Sequence, residues 1–175
     1  MAWIMVDPLI QDLGGIEDTT TTAYRPLGSE VWAKNTSTGQ VAKFKYLQGC
    51  ASTLDGDLVY WDGDHLTVRL PANATSDTLP GYNLAAAMSA NVASQYGWYM
   101  LVGEHPNIIK GTIVGTGVNL FTSSVAGAVQ AATVSGRYIM GIVSSSSVNS
   151  TNTTYDTITA VLNYPRINPK GGTPA

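Results

Sequence analysis

Residues 94–104 read SQYGWYMLVGE and bring three aromatic side chains together around one glycine, in a chain of which only 9% is aromatic. Successive side chains of a β-strand point to opposite faces of a sheet, so apolar groups at every second position indicate a strand with a core face. We predict a strand over residues 95–102. Its core face carries Tyr96, Trp98, Met100 and Val102, and its other face carries Tyr99 and Leu101.

The composition points to a surface with few charges. Charged residues make up 12% of the 175 residues, about half the usual share of a globular protein. Small uncharged polar residues replace them, which favours a surface that other subunits partly cover. The net charge is -3, and the chain lacks the clustered Lys and Arg that phosphate binding needs. We expect no nucleic-acid partner.

The sequence contains no pattern of a metal, cofactor or membrane site. Cys50 is the single cysteine, and no Cys/His spacing is typical of a metal centre. No apolar run approaches the roughly 18 residues of a membrane helix. Residues 1–15 lack the basic and long apolar regions of a secretory signal. We expect a protein made in the cytoplasm, without cofactor and without a membrane partner.

The pattern divides the chain into three segments. Residues 1–27 show little alternation, and residues 164–175 are rich in proline and glycine, so we predict an extended arm at each end. Residues 28–163 are predicted to form one β-barrel-like domain. The first arm has too many apolar side chains for a free tail. Two alternatives stay open for it: packing on its own domain, or docking on a neighbour.

Short runs of β-forming residues recur from residue 30 onward, separated by turn formers. In residues 57–70, DLVYWDGDHLTVRL, the pair Asp62-Gly63 suits a two-residue hairpin turn, in which both central positions need positive φ. Residues 84–92, LAAAMSANV, fit a strand or a helix, and their alanine content favours helix. This succession of short strands separated by turns is typical of an all-β sandwich or small barrel.

Side chains for acid–base chemistry are few. His65 lies beside the Asp62-Gly63 turn, where we expect an exposed imidazole, and His105 precedes Pro106 in a stretch typical of a turn. Neither has a nucleophile or a base at a recognisable spacing. The two Asp-Gly-Asp triplets lack the spaced ligands of an EF-hand loop and predict turns. We expect a binding or structural protein and not an enzyme.

Three segments follow one another in an order that resembles a known family. They are LAAAMSANVASQYGWYMLVGE at residues 84–104, GTGVNLFTSSVAGAVQ at residues 115–130 and SGRYIMGIVSSSS at residues 135–147. This order resembles the capsid cement proteins, the head decoration proteins of tailed bacteriophages. In that family an Ala-rich segment leads into a YGW strand, a Gly-rich turn leads into a leucine-aromatic-threonine strand, and a glycine precedes a GIV strand.

The resemblance implies a small β-barrel or β-tulip-like domain, commonly trimeric, that needs no cofactor. It implies binding to the outer surface of an icosahedral phage capsid, where the protein staples neighbouring copies of the major capsid protein and stabilises the expanded head. The implied location is the outer capsid surface of the virion. The resemblance also implies a strand at residues 84–89, against the alanine propensity.

Candidate contacts with the capsid or between subunits lie in both arms and on the second face of the 95–102 strand. Aromatic anchors are enriched at such interfaces. The candidates are Trp3, Ile4, Met5, Tyr99, Leu101, Tyr164, Arg166 and Ile167.

A function of another class is also compatible with the sequence. A receptor-binding or fibre-associated β-domain would recognise host glycans through exposed Trp and Tyr rings together with Asn and Asp. Its site would be the tip of the 57–70 hairpin, with Trp61, Asp62 and His65.

Overall fold

The computed structural model of the chain describes residues 3–6, 15–112, 114–148 and 156–169. These residues form strands and no helix, and every pairing between the strands is antiparallel. The predicted all-β class is confirmed. The strands are β1 (Trp3–Met5), β2 (Glu30–Asn35), β3 (Val41–Gln48), β4 (Leu58–Trp61), β5 (Thr67–Arg69), β6 (Ala85–Ala87), β7 (Tyr96–Ile109), β8 (Asn119–Thr122), β9 (Val129–Gln130), β10 (Tyr138–Ser144) and β11 (Thr157–Ile167).

β7 is the longest strand, with 14 residues, and lies at the centre of the sheet. β3 pairs along one edge of β7, from Tyr96 to Val102. The other edge pairs first with β6, at Tyr99 and Met100, and then with β11, from Val102 to Ile109. One strand therefore joins β1-β2-β3 and the β6-β4-β5 branch to the β11-β10-β8-β9 part of the sheet.

The two faces of β7 contribute to two separate hydrophobic clusters. Trp98 and Met100 are fully buried in the larger cluster, where the Trp98 indole donates a hydrogen bond to Tyr24 Oη at 3.1 Å. Tyr99 and Leu101 are buried in the smaller cluster, together with side chains of β3, β4 and β6. The predicted alternation along residues 98–101 is confirmed, and each face has its own core.

Val102 departs from the predicted core face. The pairing of β3 with β7 shifts between Lys43 and Phe44, so that β7 has two residues where β3 has one. Such a bulge turns the following side chains to the other face of a sheet. Val102 accordingly packs against the smaller cluster and not beside Trp98.

The β6-β4-β5 branch curls over the face of the sheet that carries Tyr99. An isolated bridge between Gln48 and Leu66 brings the β4–β5 hairpin back against β3, and Thr67 Oγ1 donates to the Gln48 carbonyl at 2.9 Å. The smaller cluster lies inside this curl. Among the described residues the strand ladders end at β1, β5 and β9, so the sheet is curled but is not closed into the predicted barrel.

Residues 84–92 contain a strand, and the helix favoured by their alanine content is wrong. Ala85–Ala87 forms β6, which pairs with β4 on one edge and with β7 on the other. All three alanines are fully buried. Backbone hydrogen bonds on both edges and complete burial outweigh a weak local preference for helix. The strand implied by the family resemblance is present over this shorter range.

The hairpin predicted in residues 57–70 is confirmed, but its turn is longer than two residues. β4 and β5 pair from Val59↔Arg69 to Trp61↔Thr67, which leaves residues 62–66 as the loop. Asp62 Oδ1 accepts hydrogen bonds from the backbone N–H groups of Asp64 and Leu66. The positive φ falls on His65, at 62°, and not on the Asp62-Gly63 pair.

Both predicted arm boundaries need correction where the structure describes them. β1 pairs with β2 of the same chain, Ile16 is buried in the larger cluster, and Thr20 pairs with Tyr96. Of the two alternatives for residues 1–27, packing on the own domain is the one observed for residues 3–6 and 15–27. At the other end β11 runs to Ile167, so the domain does not stop at residue 163. Residues 170–175 lie outside the described part.

Candidate functional site

Four large apolar side chains are exposed on one face of the sheet where it ends at β1. We call Ile4, Val6, Trp32 and Val41 the edge patch; their exposed fractions are 56%, 56%, 46% and 49%. Ile4 and Val41 lie on either side of Lys34, with which both pair, and the Val6 N–H donates to the Trp32 carbonyl at 2.9 Å, so the four side chains share one face of β1–β3 with Lys34 among them. β1 pairs only with β2 among the described strands, so the edge patch borders an open sheet edge.

Of the three candidate contacts in β1, only Ile4 points to solvent. The Trp3 ring packs edge-on against Phe44, with 5.0 Å between ring centroids. Met5 packs on the larger cluster, and its sulfur accepts a hydrogen bond from Arg25 Nη2 at 3.5 Å. Trp3 and Met5 therefore anchor β1 to its own domain, and Ile4 is the residue of this strand that can meet a partner.

Tyr99 and Leu101 do not form an exposed interface in this fold. Their exposed fractions are 1% and 3%, because the β6-β4-β5 branch covers the face to which they point. Tyr99 Oη accepts a hydrogen bond from Asn91 Nδ2 at 3.1 Å, and burial raises the pKa of Tyr99 to about 12. The interface prediction for these two residues is corrected to a core role.

The three candidates near the C-terminus lie in β11, where the alternation of buried and exposed side chains is interrupted. Leu162 is buried and Asn163 exposed, as alternation requires, but Tyr164 is exposed as well and Ile167 is buried. Tyr164 has a φ of 48°, and the β10–β11 pairing shifts register between Met140 and Ile142. This bulge turns Tyr164 out of the core face, so that Tyr164 and Arg166 are exposed and Ile167 is part of the larger cluster.

A pocket of about 280 Å³ opens beside Tyr164, at the mouth of the curl that encloses the smaller cluster. We call it the tyrosine pocket. It brings Leu101 and Tyr164, two of the predicted contacts, together with Trp61 from the predicted hairpin-tip site. Its lining includes Glu30, Lys45, Trp61, Asn83, Leu101 and Tyr164.

Two members of a charged triad, Glu30 and Lys45, line the tyrosine pocket, and the third member is Lys43. Lys43 and Lys45 donate to the two carboxylate oxygens of Glu30, at 2.7 Å and 3.0 Å. Lys43 also donates to Tyr164 Oη at 2.9 Å, and the Lys45 ammonium lies 5.4 Å from the ring centre of Trp61. These contacts place cations on aromatic rings, an arrangement that is attractive through the ring quadrupole.

The charges of the triad are fixed by its own hydrogen bonds. Burial alone would raise the pKa of Glu30, but the hydrogen bonds from Lys43 and Lys45 outweigh it and lower that pKa. The bonds to Glu30 and Tyr164 raise the pKa of Lys43. Both shifts favour the ionised forms of Glu30 and Lys43, and the triad of one acidic and two basic side chains has a formal charge of plus one.

Only one residue of the predicted hairpin-tip site joins the tyrosine pocket. Trp61 lines it, whereas the Asp62 carboxylate closes its own loop. The His65 ring is half-buried against the backbone of Gly28, where an added Cβ would lie 2.3 Å from His65 Nε2. The exposed imidazole expected for His65 is therefore replaced by a packed one, and the three residues do not act as one site.

His105 lies in strand β7 and not in a turn. Its ring is 1% exposed; Nδ1 accepts the N–H of Asn107 at 3.1 Å, and Nε2 lies 3.0 Å from the Ala87 carbonyl. This pattern selects the tautomer with hydrogen on Nε2. Burial lowers the pKa of His105, and the Asp55 carboxylate, 3.6 Å from Nε2, offsets this only in part.

The sequence did not predict the buried ion pair between Asp57 and Arg69, because Asp57 belongs to an Asp-Gly-Asp triplet that indicates a turn. Asp57 is fully buried, and its Oδ2 lies 2.8 Å from Arg69 Nε and accepts the Leu54 N–H at the same distance. Burial raises the pKa of Asp57, against the effect of these two partners. The pair joins the loop before β4 to β5, which is a structural role.

Within residues 3–6, 15–112, 114–148 and 156–169, no group of three or more His, Cys, Asp or Glu side chains is placed to hold a metal ion. The same residues contain no helix that is long and apolar enough to cross a membrane. Comparisons with protein-family models, with curated proteins and with solved structures gave no match to this chain.

Proposed function

We propose that the chain is a capsid cement protein, which binds the outer surface of an expanded icosahedral phage head and joins neighbouring copies of the major capsid protein. The edge patch is the observation that carries this proposal. It sets four large apolar side chains beside a strand edge that no other described strand covers. The order of sequence motifs that resembles the cement family supports the same function.

The edge patch has the properties of an association surface. Contiguous exposed apolar groups on a folded protein mark sites of interaction. An open strand edge offers unpaired backbone N–H and C=O groups, to which an extended segment of another chain can add as a further strand. Ile4 lies on the edge strand and Val6 directly follows it, so one partner segment would meet the backbone and the patch together.

Many copies of one modest contact are sufficient for a cement protein. Attachment at several points of a shell multiplies the affinity of a single site without any new contact. We propose a homotrimer as the attaching unit, because the low surface charge favours association and the resembled family is commonly trimeric. Sedimentation equilibrium at micromolar concentration measures this state, and a strict monomer would contradict the trimer but not the site of attachment.

Co-sedimentation with expanded heads that lack their decoration protein tests the function. Wild-type protein is expected to pellet with the heads, and the double variant Ile4→Asp/Val41→Asp is expected to stay in the supernatant. Val161→Asp is the matched control, because Val161 is also 46% exposed but lies on β11. Wild-type protein that does not pellet, or a double variant that pellets as well as the control, would contradict the proposal.

A further inference from the structure

We propose that the tyrosine pocket binds an acidic saccharide, with one uronate unit between Trp61 and Tyr164. This site lies outside the edge patch and does not depend on the cement function. It occupies the mouth of the curled sheet, with Leu101 among the residues of its lining. Concave sites whose apolar walls carry a few polar groups are typical of ligand binding.

The backbone conformation at Tyr164 exposes the ring of this residue at the pocket. Tyr164 has a φ of 48°, in the left-handed region that favours glycine and strains an ordinary side chain. In an unbroken strand its side chain would follow the alternation of Leu162 and point into the core. Instead the bulge turns the ring outward, so that it is 48% exposed at the pocket. Bulges that re-aim a side chain and residues held in strained conformations both concentrate at functional sites.

The aromatic walls fit a sugar ring. An aromatic face carries negative charge density, and the C–H groups of a pyranose ring are weakly positive, so the two surfaces attract on contact. Trp61 comes from β4 and Tyr164 from β11, which gives the pocket a ring on each of two elements. The Asn83 amide, also in the lining, offers donors and an acceptor to sugar hydroxyl groups.

The charge of the pocket selects an anionic sugar. Lys45 has three N–H donors, of which Glu30 takes one, so donors remain for a ligand carboxylate. Glu30 and Lys45 line the pocket, and Lys43, which is not in the lining, also binds the Glu30 carboxylate, so the three groups together carry a surplus positive charge. A neutral sugar would use the rings and the amide alone, whereas a uronate adds a charge-assisted hydrogen bond to Lys45.

The size and shape favour a saccharide over a peptide. A pocket of about 280 Å³ is at the small end of ligand sites and suits one or two sugar units. Peptides are recognised along open strand edges or extended grooves, which the edge patch offers and this pocket does not. A short acidic peptide is therefore the competing ligand that the experiment must separate.

Calorimetric titration of the full-length protein in the absence of any capsid tests the pocket. Tetragalacturonate is the acidic probe, maltotetraose the neutral probe and tetraglutamate the peptide probe. We expect tetragalacturonate to bind with a Kd of about 1 mM or tighter, and the other two probes about tenfold more weakly. Trp61→Ala and Tyr164→Gly are expected to weaken tetragalacturonate binding about tenfold, through loss of ring contacts.

Two further variants test whether the loss of binding is specific to the pocket rings and whether Lys45 provides the preference for an acidic sugar. Tyr82→Ala removes an exposed tyrosine that is not in the pocket lining, so it should bind like wild type. Lys45→Gln should lose the preference for tetragalacturonate over maltotetraose while it keeps the neutral affinity. No binding of tetragalacturonate, equal binding of tetraglutamate or maltotetraose by the wild type, or unchanged binding by Trp61→Ala and Tyr164→Gly, would each overturn the proposal. Because the heads are absent, failure here leaves the cement function untouched.

Discussion

Gly141 faces the carbonyl oxygen of Tyr164 across the β10–β11 bulge, and both residues have a positive φ, of 75° and 48°. A Cβ on Gly141 would lie 3.2 Å from this oxygen and 2.4 Å from that of Asn163. Glycine is therefore required at this position of β10, because any Cβ would collide with the β11 backbone at the bulge. The bulge that results exposes Tyr164 at the tyrosine pocket.

Replacing Tyr164 separates the strain of the backbone from the role of the ring. Tyr164→Gly and Tyr164→Ala both remove the ring, but only glycine adopts a φ near 48° without a steric penalty. We expect Tyr164→Gly to be more stable than Tyr164→Ala by about 1 kcal/mol in the free energy of unfolding. Chemical denaturation measures the difference, and an Ala variant as stable as the Gly variant would remove the evidence for strain.

The two faces of β7 should respond alike to truncation, because each is buried in its own cluster. Trp98→Ala and Tyr99→Ala are both expected to lower the free energy of unfolding by about 3–5 kcal/mol, through lost burial and the cavity left behind. An exposed Tyr99 would make its variant far milder. Tyr82→Ala, on a 43% exposed side chain that packs edge-on against Tyr60, should cost only about 1 kcal/mol.

Thermal melts of these three variants decide between the two descriptions of Tyr99. Tyr99→Phe adds a finer measurement, because it leaves the buried Asn91 amide without its acceptor. That change should cost about 1–3 kcal/mol. A Tyr99→Ala protein that melts close to wild type would show that the curled branch does not cover this face in solution.

His105 should make stability depend on pH. Its pKa in the folded protein lies below the usual value of 6.5, so the unfolded chain binds more protons in that range. The stabilising effect of the neutral ring is complete above pH 6.5. It is lost as the pH falls from 6.5 toward the folded pKa, at a rate of up to about 1.4 kcal/mol per pH unit.

The variant His105→Gln isolates this effect. It should be less stable than wild type at pH 7.5 but should lose less stability between pH 7 and pH 5. Asp57 acts in the opposite direction, because burial raises its pKa in the folded protein, and it is unchanged in both proteins. Denaturation at a series of pH values makes the measurement. Parallel pH profiles for wild type and variant would contradict a buried neutral His105.

The sequence was informative where a local pattern determines the structure. Alternation placed Trp98 and Tyr99 on opposite faces of one strand, and the Asp-Gly pair located the hairpin between β4 and β5. It failed for Ala85–Ala87, because the pairing partners β4 and β7 are distant in sequence and outweigh the helix preference of alanine.

The candidate site was harder to predict, because it depends on two features without a local signal. The burial of Tyr99 and Leu101 follows from the curl of the β6-β4-β5 branch, which a strand pattern does not contain. Pro165 predicted the end of regular structure, yet β11 continues through it, since its carbonyl still accepts the Leu84 N–H at 2.7 Å. The bulge at Tyr164 follows from Gly141 on another strand.

Electron cryo-microscopy of expanded, undecorated heads mixed with the purified chain measures the proposed function directly. We expect added density on the outer surface of the heads at symmetry-related positions, with the β1–β2–β3 end of each molecule against the shell. The Ile4→Asp/Val41→Asp variant should leave the heads bare under the same conditions. Bare heads with the wild-type chain, or bound molecules whose edge patch faces away from the shell and from neighbouring copies, would contradict the cement function proposed for this fold.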